Sequence, residues 1–167
     1  VAPAKGLDDA IRQRLFKHAI AISKEVNYNN VGTVEFLVDK EGKEYFIEVN
    51  PRIQVEHTVT EMVTGIDLVK QQILVAFGNI LSLNQDDIKL QGHSIECRIN
   101  AEHPETFIPS PGTITQYHQP GGLGVRIDSA LYQGYKIPSH YDSMIAKLIT
   151  YGENREDCIQ KMQRALE

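Results

Sequence analysis

Glu44-Tyr-Phe-Ile-Glu48-Val-Asn50-Pro-Arg52-Ile-Gln54-Val-Glu56-His57 is the stretch that decides how the rest of the chain is read. It opens as a strand in which Tyr45, Ile47 and Val49 alternate with Glu44, Phe46, Glu48 and Asn50. Pro51 ends the regular ladder because it has no N–H to give. If the chain stays extended beyond it, residues two apart share a face. Glu48, Asn50, Arg52, Gln54 and Glu56 then line one wall.

Working back from this strand, Thr33-Val-Glu35-Phe-Leu37-Val-Asp39 is rich in β-formers, and Lys40-Glu-Gly-Lys43 reads as a hairpin turn. Pairing Asp39 with Glu44 sets Glu35 opposite Glu48 and Leu37 opposite Phe46. Like charges facing across strands destabilise a ladder, their Cβ atoms being about 4.5–5.5 Å apart. A hard divalent cation, Mg²⁺ or Mn²⁺, would relieve the pair, since Mg²⁺ commonly binds one or two carboxylates together with phosphate oxygens. The plain alternative is an amphipathic hairpin with a solvated acidic face. It does not account for the continuation into Asn50, Arg52, Gln54 and Glu56.

Upstream, Leu7, Ile11, Leu15, Ala19, Ile22 and Val26 form the stripe of an amphipathic helix, with Asp8 and Asp9 at its start. Its partner face on the hairpin is expected to be Val34, Phe36 and Val38 with Tyr45, Ile47 and Val49. Downstream, Thr58-Val-Thr-Glu61 fits a capping box, and Met62, Ile66, Val69, Ile73 and Phe77 form a second stripe that Gly65 can break in two. This second helix is expected to complete the layer over the hairpin. Helix, hairpin and helix make an α+β unit over residues 1–78. Residues 79–167 change character, with short β-like runs at 94–99, 113–117, 124–128 and 143–150. Asn154 caps a last helix that turns Cys158, Ile159, Met162 and Leu166 inward. Gly121-Gly-Leu-Gly124 precedes a strand rather than a helix, so it reads as a turn and not as a phosphate loop.

With 167 residues, 41% of them hydrophobic, the chain can bury a real core. A net charge of -5 without a basic run argues against nucleic-acid binding, and no apolar run reaches membrane-spanning length. Cys97 and Cys158 lie far apart in sequence, which suits a reducing compartment. The start at Val1-Ala-Pro-Ala and the end inside a predicted helix are expected of a piece of a larger protein.

Glu48 to His57, followed by Thr60-Glu-Met-Val-Thr-Gly-Ile-Asp67, resembles the signature of biotin carboxylase, the ATP-grasp subunit or domain of biotin-dependent carboxylases. Glu96-Cys-Arg98-Ile-Asn-Ala-Glu102, Pro109-Ser-Pro-Gly112, Gly121-Gly-Leu-Gly-Val-Arg126 and Tyr141-Asp-Ser-Met-Ile145 match it as well. The resemblance covers essentially the whole chain. It implies the C-terminal half of an ATP-grasp domain followed by a β-rich biotin carboxylase C-terminal domain. The glycine-rich lid and the nucleotide-binding lysines would lie upstream of Val1, so the chain by itself is expected to be inactive.

The resemblance further implies ATP, Mg²⁺ or Mn²⁺, bicarbonate, and biotin on a carrier protein. The carboxyl carrier protein or domain and a carboxyltransferase are the expected partners, with a homodimer through the C-terminal domain near Arg126. The expected location is the cytoplasm or, alternatively, the mitochondrial matrix. Glu35 and Glu48 would hold the metal, with Asn50 as a ligand or close partner, and Leu37 would touch the adenine ring. Arg52 offers a planar fork to bicarbonate, with Gln54 and the Val55 backbone beside it. Glu56 would act as base, Arg98 would balance charge on the ureido oxygen of biotin, and Asp142 would orient an arginine. Taken without the family, Arg98 reads equally well as a strand arginine paired with Glu96 or Glu102. Other ATP-grasp ligases, such as carbamoyl phosphate synthetase, share the shorter Glu-x-Asn-Pro-Arg, and a silent dimerisation or docking module remains a third reading.

Overall fold

The computed structural model describes residues 1–167, and its contacts divide the chain into two units. One comprises Ala4–His57 and Thr64–Lys89; the other comprises Leu90–Glu167 with Val1–Pro3 and Thr58–Val63. The contact boundary thus falls at Lys89, and a short helical segment from the middle of the chain groups with the C-terminal unit.

In the first unit, α1 (Asp9–Glu25) is capped by Asp8, whose side chain accepts from the Ala10 N–H at 2.7 Å. Its apolar stripe is half-buried from Leu7 to Ile22, while Val26, at the C-cap, is exposed. The strands β1 (Thr33–Val38) and β2 (Glu44–Asn50) pair antiparallel. Asp39 does not extend the ladder to Glu44. Its carboxylate instead accepts from the N–H groups of Glu41 and Lys43 and closes the turn, a local bond that competes with strand pairing.

Val38 therefore faces Glu44, Leu37 faces Tyr45 rather than Phe46, and Phe36 faces Phe46. The expected division of the two hairpin faces fails at these positions. Tyr45 shares its face with Leu37, and the Phe46 ring meets the Phe36 ring edge-on at 6.2 Å. A bulge between Glu35 and Phe36 shifts the register by one, leaving Ile47 without a partner. That extra residue restores Glu35 opposite Glu48.

The helices α2 (His57–Thr64) and α3 (Leu68–Ala76) are separated at Gly65, whose φ of +71° suits a residue with no Cβ. Asp67 caps α3 by accepting from the Lys70 N–H at 2.8 Å. The break resets the helical phase. Val69, Ile73 and Phe77, expected to face inward, are consequently exposed, while Leu68, Leu74 and Val75 are half-buried. The expected capping box is absent too: Thr58 and Glu61 lie inside α2, and both are buried. Nor does α2 serve as a layer of the hairpin unit, because Thr58–Val63 groups with the C-terminal strands.

In the second unit, β3 (His93–Asn100), β4 (Val125–Ser129) and β5 (Met144–Gly152) form an antiparallel sheet in the order β3-β5-β4. Residues 113–117, expected as a strand, make only the single bridge Thr113–Lys136. Ile114 donates to the Tyr135 carbonyl and accepts from the Gly134 N–H, so the run pairs with residues 134–136 only over this short contact and does not extend into a ladder. Gly124 turns the chain into β4, where an added Cβ would lie 2.4 Å from the Tyr151 oxygen.

The last helix, α4 (Arg155–Leu166), is capped by Asn154, which accepts from the Asp157 N–H at 3.0 Å. Cys158 and Met162 are buried, whereas Leu166 at the end of the helix is exposed. Leu148, Ile149, Thr150, Cys158 and Ser94 are among the most completely buried side chains. No helix is long and apolar enough to cross a membrane.

Candidate active site

The hairpin brings Glu35 and Glu48 together as register partners, and neutral amides stand between them. Asn50 Nδ2 donates to Glu35 Oε1 at 2.8 Å and to Glu48 Oε1 at 3.0 Å. Gln54 Nε2 donates to the same Glu35 oxygen at 2.8 Å. The positive ends of two amide dipoles thus occupy the place where a cation would relieve the pair. No group of three or more His, Cys, Asp or Glu side chains able to hold a metal forms anywhere in the chain. A cation on Glu35 and Glu48 would therefore draw its other ligands from amide oxygens, water or substrate, as Mg²⁺ commonly does.

Beyond Asn50 the chain is not extended, because the Arg52 N–H donates to the Asn50 carbonyl at 2.9 Å and folds it back. Turns rather than strand alternation therefore bring Arg52 and Gln54 to Asn50 and the acids. Arg52 Nη2 donates to Asn50 Oδ1 and Nη1 to the Ile53 carbonyl, both at 3.2 Å, which ties the guanidinium to the amide that bridges the acids. At the next turn the Gln54 carbonyl accepts from the His57 N–H at 3.3 Å and lies 2.8 Å from its Nδ1, which starts α2. Val55 and Glu56 occupy that turn, with Val55 half-buried and Glu56 exposed. Leu37 lies on the face of the acids and is 64% exposed, an apolar surface next to charge.

The remaining expected residues belong to the second unit. Arg98 is an exposed residue of β3 and the cross-strand partner of Lys147. Glu96 accepts from the Thr58 hydroxyl, and Glu102 accepts from the Ser143 hydroxyl. Asp142 Oδ1 accepts from the Met144 N–H at 2.8 Å, a local turn bond. Cys158 is buried in the core, and burial raises the pKa of half-buried Cys97, with Glu96 adding to the effect.

Sequence reasoning missed the ionic network behind these residues. Arg126 Nε and Nη2 donate to the two Asp128 oxygens at 2.7 and 2.8 Å, and Nη1 donates to Glu61 Oε2 at 2.8 Å. Hydrogen bonding to Asp128, and then to Glu61, holds the Arg126 pKa above its ordinary value despite partial desolvation. The available signal was Arg126 and Asp128 two apart on one strand, which places them on one face. The two carboxyls of Glu61 and Glu96 reach this face from different elements, α2 and β3.

Comparison with known proteins adds to this geometry. Residues 1–84 match the family model of the carbamoyl-phosphate synthase L chain, ATP binding domain. Residues 96–167 match that of the biotin carboxylase C-terminal domain. Biotin carboxylase 1 of Bacillus subtilis is 57% identical over 99% of this chain and 37% of its own length. The chain belongs to the biotin carboxylase family.

A biotin carboxylase from Campylobacter jejuni, solved as a complex with an ATP-type ligand, superimposes with a TM-score of 0.94 at 53% identity, covering 99% of this chain and 37% of that one. The biotin carboxylase domain dimer of the Hydrogenobacter thermophilus 2-oxoglutarate carboxylase was solved with MgADP, ADP and bicarbonate. It gives 0.95 at 48% identity, over 99% of this chain and 37% of that one. The fold is accordingly that of an ATP-grasp portion followed by biotin carboxylase C-terminal structure. The chain spans a little over a third of the length of these relatives.

Proposed function

We propose that this chain supplies part of a biotin carboxylase: ATP- and bicarbonate-dependent carboxylation of biotin on a carrier protein, releasing ADP and phosphate. The observation that carries the reading is the facing pair Glu35 and Glu48, bridged by Asn50 and tied through it to Arg52. A cluster of this composition fits Mg²⁺ or Mn²⁺, held by the two glutamates with Asn50 as a neutral ligand once its amide turns its oxygen inward. When bound, the ion offsets negative charge on the phosphate oxygens of ATP.

The residues then divide the work. Leu37 packs on the adenine ring, while Arg52, Gln54 and the Val55 backbone orient bicarbonate. Glu56 accepts the bicarbonate proton as a bicarbonate oxygen attacks the γ-phosphorus and ADP leaves, giving carboxyphosphate. Carboxyphosphate breaks down to CO₂ and phosphate, and phosphate takes the ureido N–H proton as that nitrogen attacks CO₂. Arg98 balances the negative charge that develops on the ureido oxygen, and Asp142 orients an arginine.

The partners that follow are a biotin carboxyl carrier protein or domain and a carboxyltransferase. A second copy of the chain would pair through the C-terminal unit. Arg126 itself is committed to Asp128 and Glu61, so we assign that contact to the turn before it, where Leu123 is 90% exposed. Two free cysteines fit a reducing compartment, for which we assign the cytoplasm, with the mitochondrial matrix as the alternative. Residues 1–78 and 79–167 are proposed as the two domain portions.

Calorimetric titration of the full-length protein with Mn²⁺ tests the central point. A binding site present in the parent is expected to be lost in Glu35→Gln and in Glu48→Gln. Unaltered Mn²⁺ binding in both variants would overturn the assignment. Biotin-stimulated ATP turnover separates this reading from a carbamoyl-phosphate type of ligase, which has no use for biotin.

A further inference from the structure

Two of the residues assigned to bicarbonate are bonded directly to residues assigned to the cation. Arg52 Nη2 donates to Asn50 Oδ1 at 3.2 Å, and Gln54 Nε2 donates to Glu35 Oε1 at 2.8 Å. Asn50 stands at the centre, half-buried, with both ends of its amide committed. Its Nδ2 donates to Glu35 at 2.8 Å and to Glu48 at 3.0 Å, while its Oδ1 accepts from Arg52. Chemistry fixes this orientation, because ionised carboxylates only accept and a guanidinium only donates.

A cation on the two acids demands the opposite orientation. Only the amide oxygen can ligate Mg²⁺ or Mn²⁺, so an Asn50 that joins Glu35 and Glu48 around the ion must turn Oδ1 toward them. A half-turn of the amide then points Nδ2 at Arg52. Donor faces donor, and Nη2 loses its acceptor. The bond from Arg52 Nη1 to the Ile53 carbonyl does not involve the amide, so it tethers the guanidinium while Nη2 is released.

We propose that the Asn50 amide couples the cation site to the bicarbonate site. With Oδ1 toward Arg52 it holds back one arm of the guanidinium fork; with Oδ1 toward the acids it frees that arm for the anion. Bicarbonate then binds more tightly when the cation is held, and the cation more tightly when bicarbonate is held, by the same factor. The inference rests on the roles given above to Glu35, Glu48 and Arg52.

The test is calorimetric titration of the full-length protein with bicarbonate, under saturating ADP throughout, once with excess Mg²⁺ and once with a chelator. Mg²⁺ is expected to tighten bicarbonate binding about fivefold in the parent, the low end for coupled sites because the bond to be released is exposed. Asn50→Ala and Asn50→Leu leave Arg52 without the amide acceptor. Both should bind bicarbonate about fivefold more tightly than the parent under chelator, and the effect of Mg²⁺ should shrink accordingly. A residue that only supports the local structure would not improve binding when removed.

Variants that bind no more tightly than the parent under chelator overturn the proposal, as does a parent whose bicarbonate affinity ignores Mg²⁺. Should Asn50→Ala fail to fold, Asn50→Leu, which fills the same space without polar atoms, decides on the same readout. Arg52→Ala separates the two layers of the argument. If it leaves bicarbonate binding intact, the role of Arg52 fails and this inference with it. If it abolishes binding while both Asn50 variants behave as the parent does, only the coupling through Asn50 fails.

Discussion

The hairpin unit and the sheet unit differ in where their stability resides. Every buried side chain belongs to the sheet unit, including Leu148, Ile149, Cys158 and Met162 and the α2 residues Thr58, Val59, Glu61 and Val63. The hairpin unit holds the acid–amide cluster yet buries no side chain completely, and it exposes Leu37, Phe46 and Ile47. A two-stranded hairpin alone is marginal in water. The residues proposed to admit a metal, a nucleotide and a small anion therefore sit on the looser element, as is usual for binding segments, while Arg98 stands on the sheet unit.

The largest expected effect breaks the comparison at its centre. Leu148→Ala should cost about 2–5 kcal/mol of stability through lost burial and a residual cavity. Phe46→Ala, on a side chain that is 54% exposed, should cost about 1 kcal/mol, mostly its edge contact with Phe36. Urea unfolding followed by amide hydrogen exchange at β5 and at β1–β2 separately reads both. Equal losses would show that the hairpin is as deeply packed as the sheet.

A smaller effect probes the network that ties α2 to the sheet. Arg126→Ala leaves Glu61, whose side chain is 9% exposed, and Asp128 facing one another without the guanidinium between them. The expected loss is about 1–3 kcal/mol, toward the lower end because the Arg126 side chain is 34% exposed and solvent screens it. A double-mutant cycle with Glu61→Gln should return a coupling energy; a coupling of zero would mean that the two side chains merely lie side by side.

Which of these features could be read beforehand depends on the range of the interaction. Glu35 opposite Glu48 was legible because a hairpin has a period of two and short closure, although the register was right for a partly wrong reason. Asp39 closes the turn instead of pairing with Glu44, and the bulge at Ile47 makes up the one-residue difference. Asn154 and the break at Gly65 were equally local and were read directly.

Thr58 and Glu61 were not. Their spacing fits a capping box wherever it occurs, and only partners far along the chain, Glu96 and Arg126, reveal the side chains as clamps. The cross-strand row of Arg98, Lys147 and Asp128 needs the strand order β3-β5-β4, in which the last strand in sequence lies in the middle. Nothing in local spacing supplies that order, nor the return of residues 134–136 that limits 113–117 to a single bridge.

The smallest expected effect concerns His93 at the join of β3 and α4. Its ring is buried, and Arg155 Nη1 donates to its Nε2 at 3.3 Å, which requires that nitrogen to be unprotonated. Burial, and then the adjacent Arg155 charge, lower its pKa below the ordinary value. The folded state consequently binds this proton less readily than the unfolded chain does, so stability rises with pH across the interval between the two pKa values. The contribution is fully present above about pH 6.5, the unfolded value, and is lost as pH falls through the depressed folded one. The melting temperature of the parent should therefore decline between about pH 7 and pH 5, and His93→Gln should flatten that limb. Hydrogen exchange sharpens the contrast between the units: acceleration should centre on β3 and the start of α4. A matching acceleration in β1–β2 that persists in His93→Gln would assign the acid sensitivity to the hairpin instead.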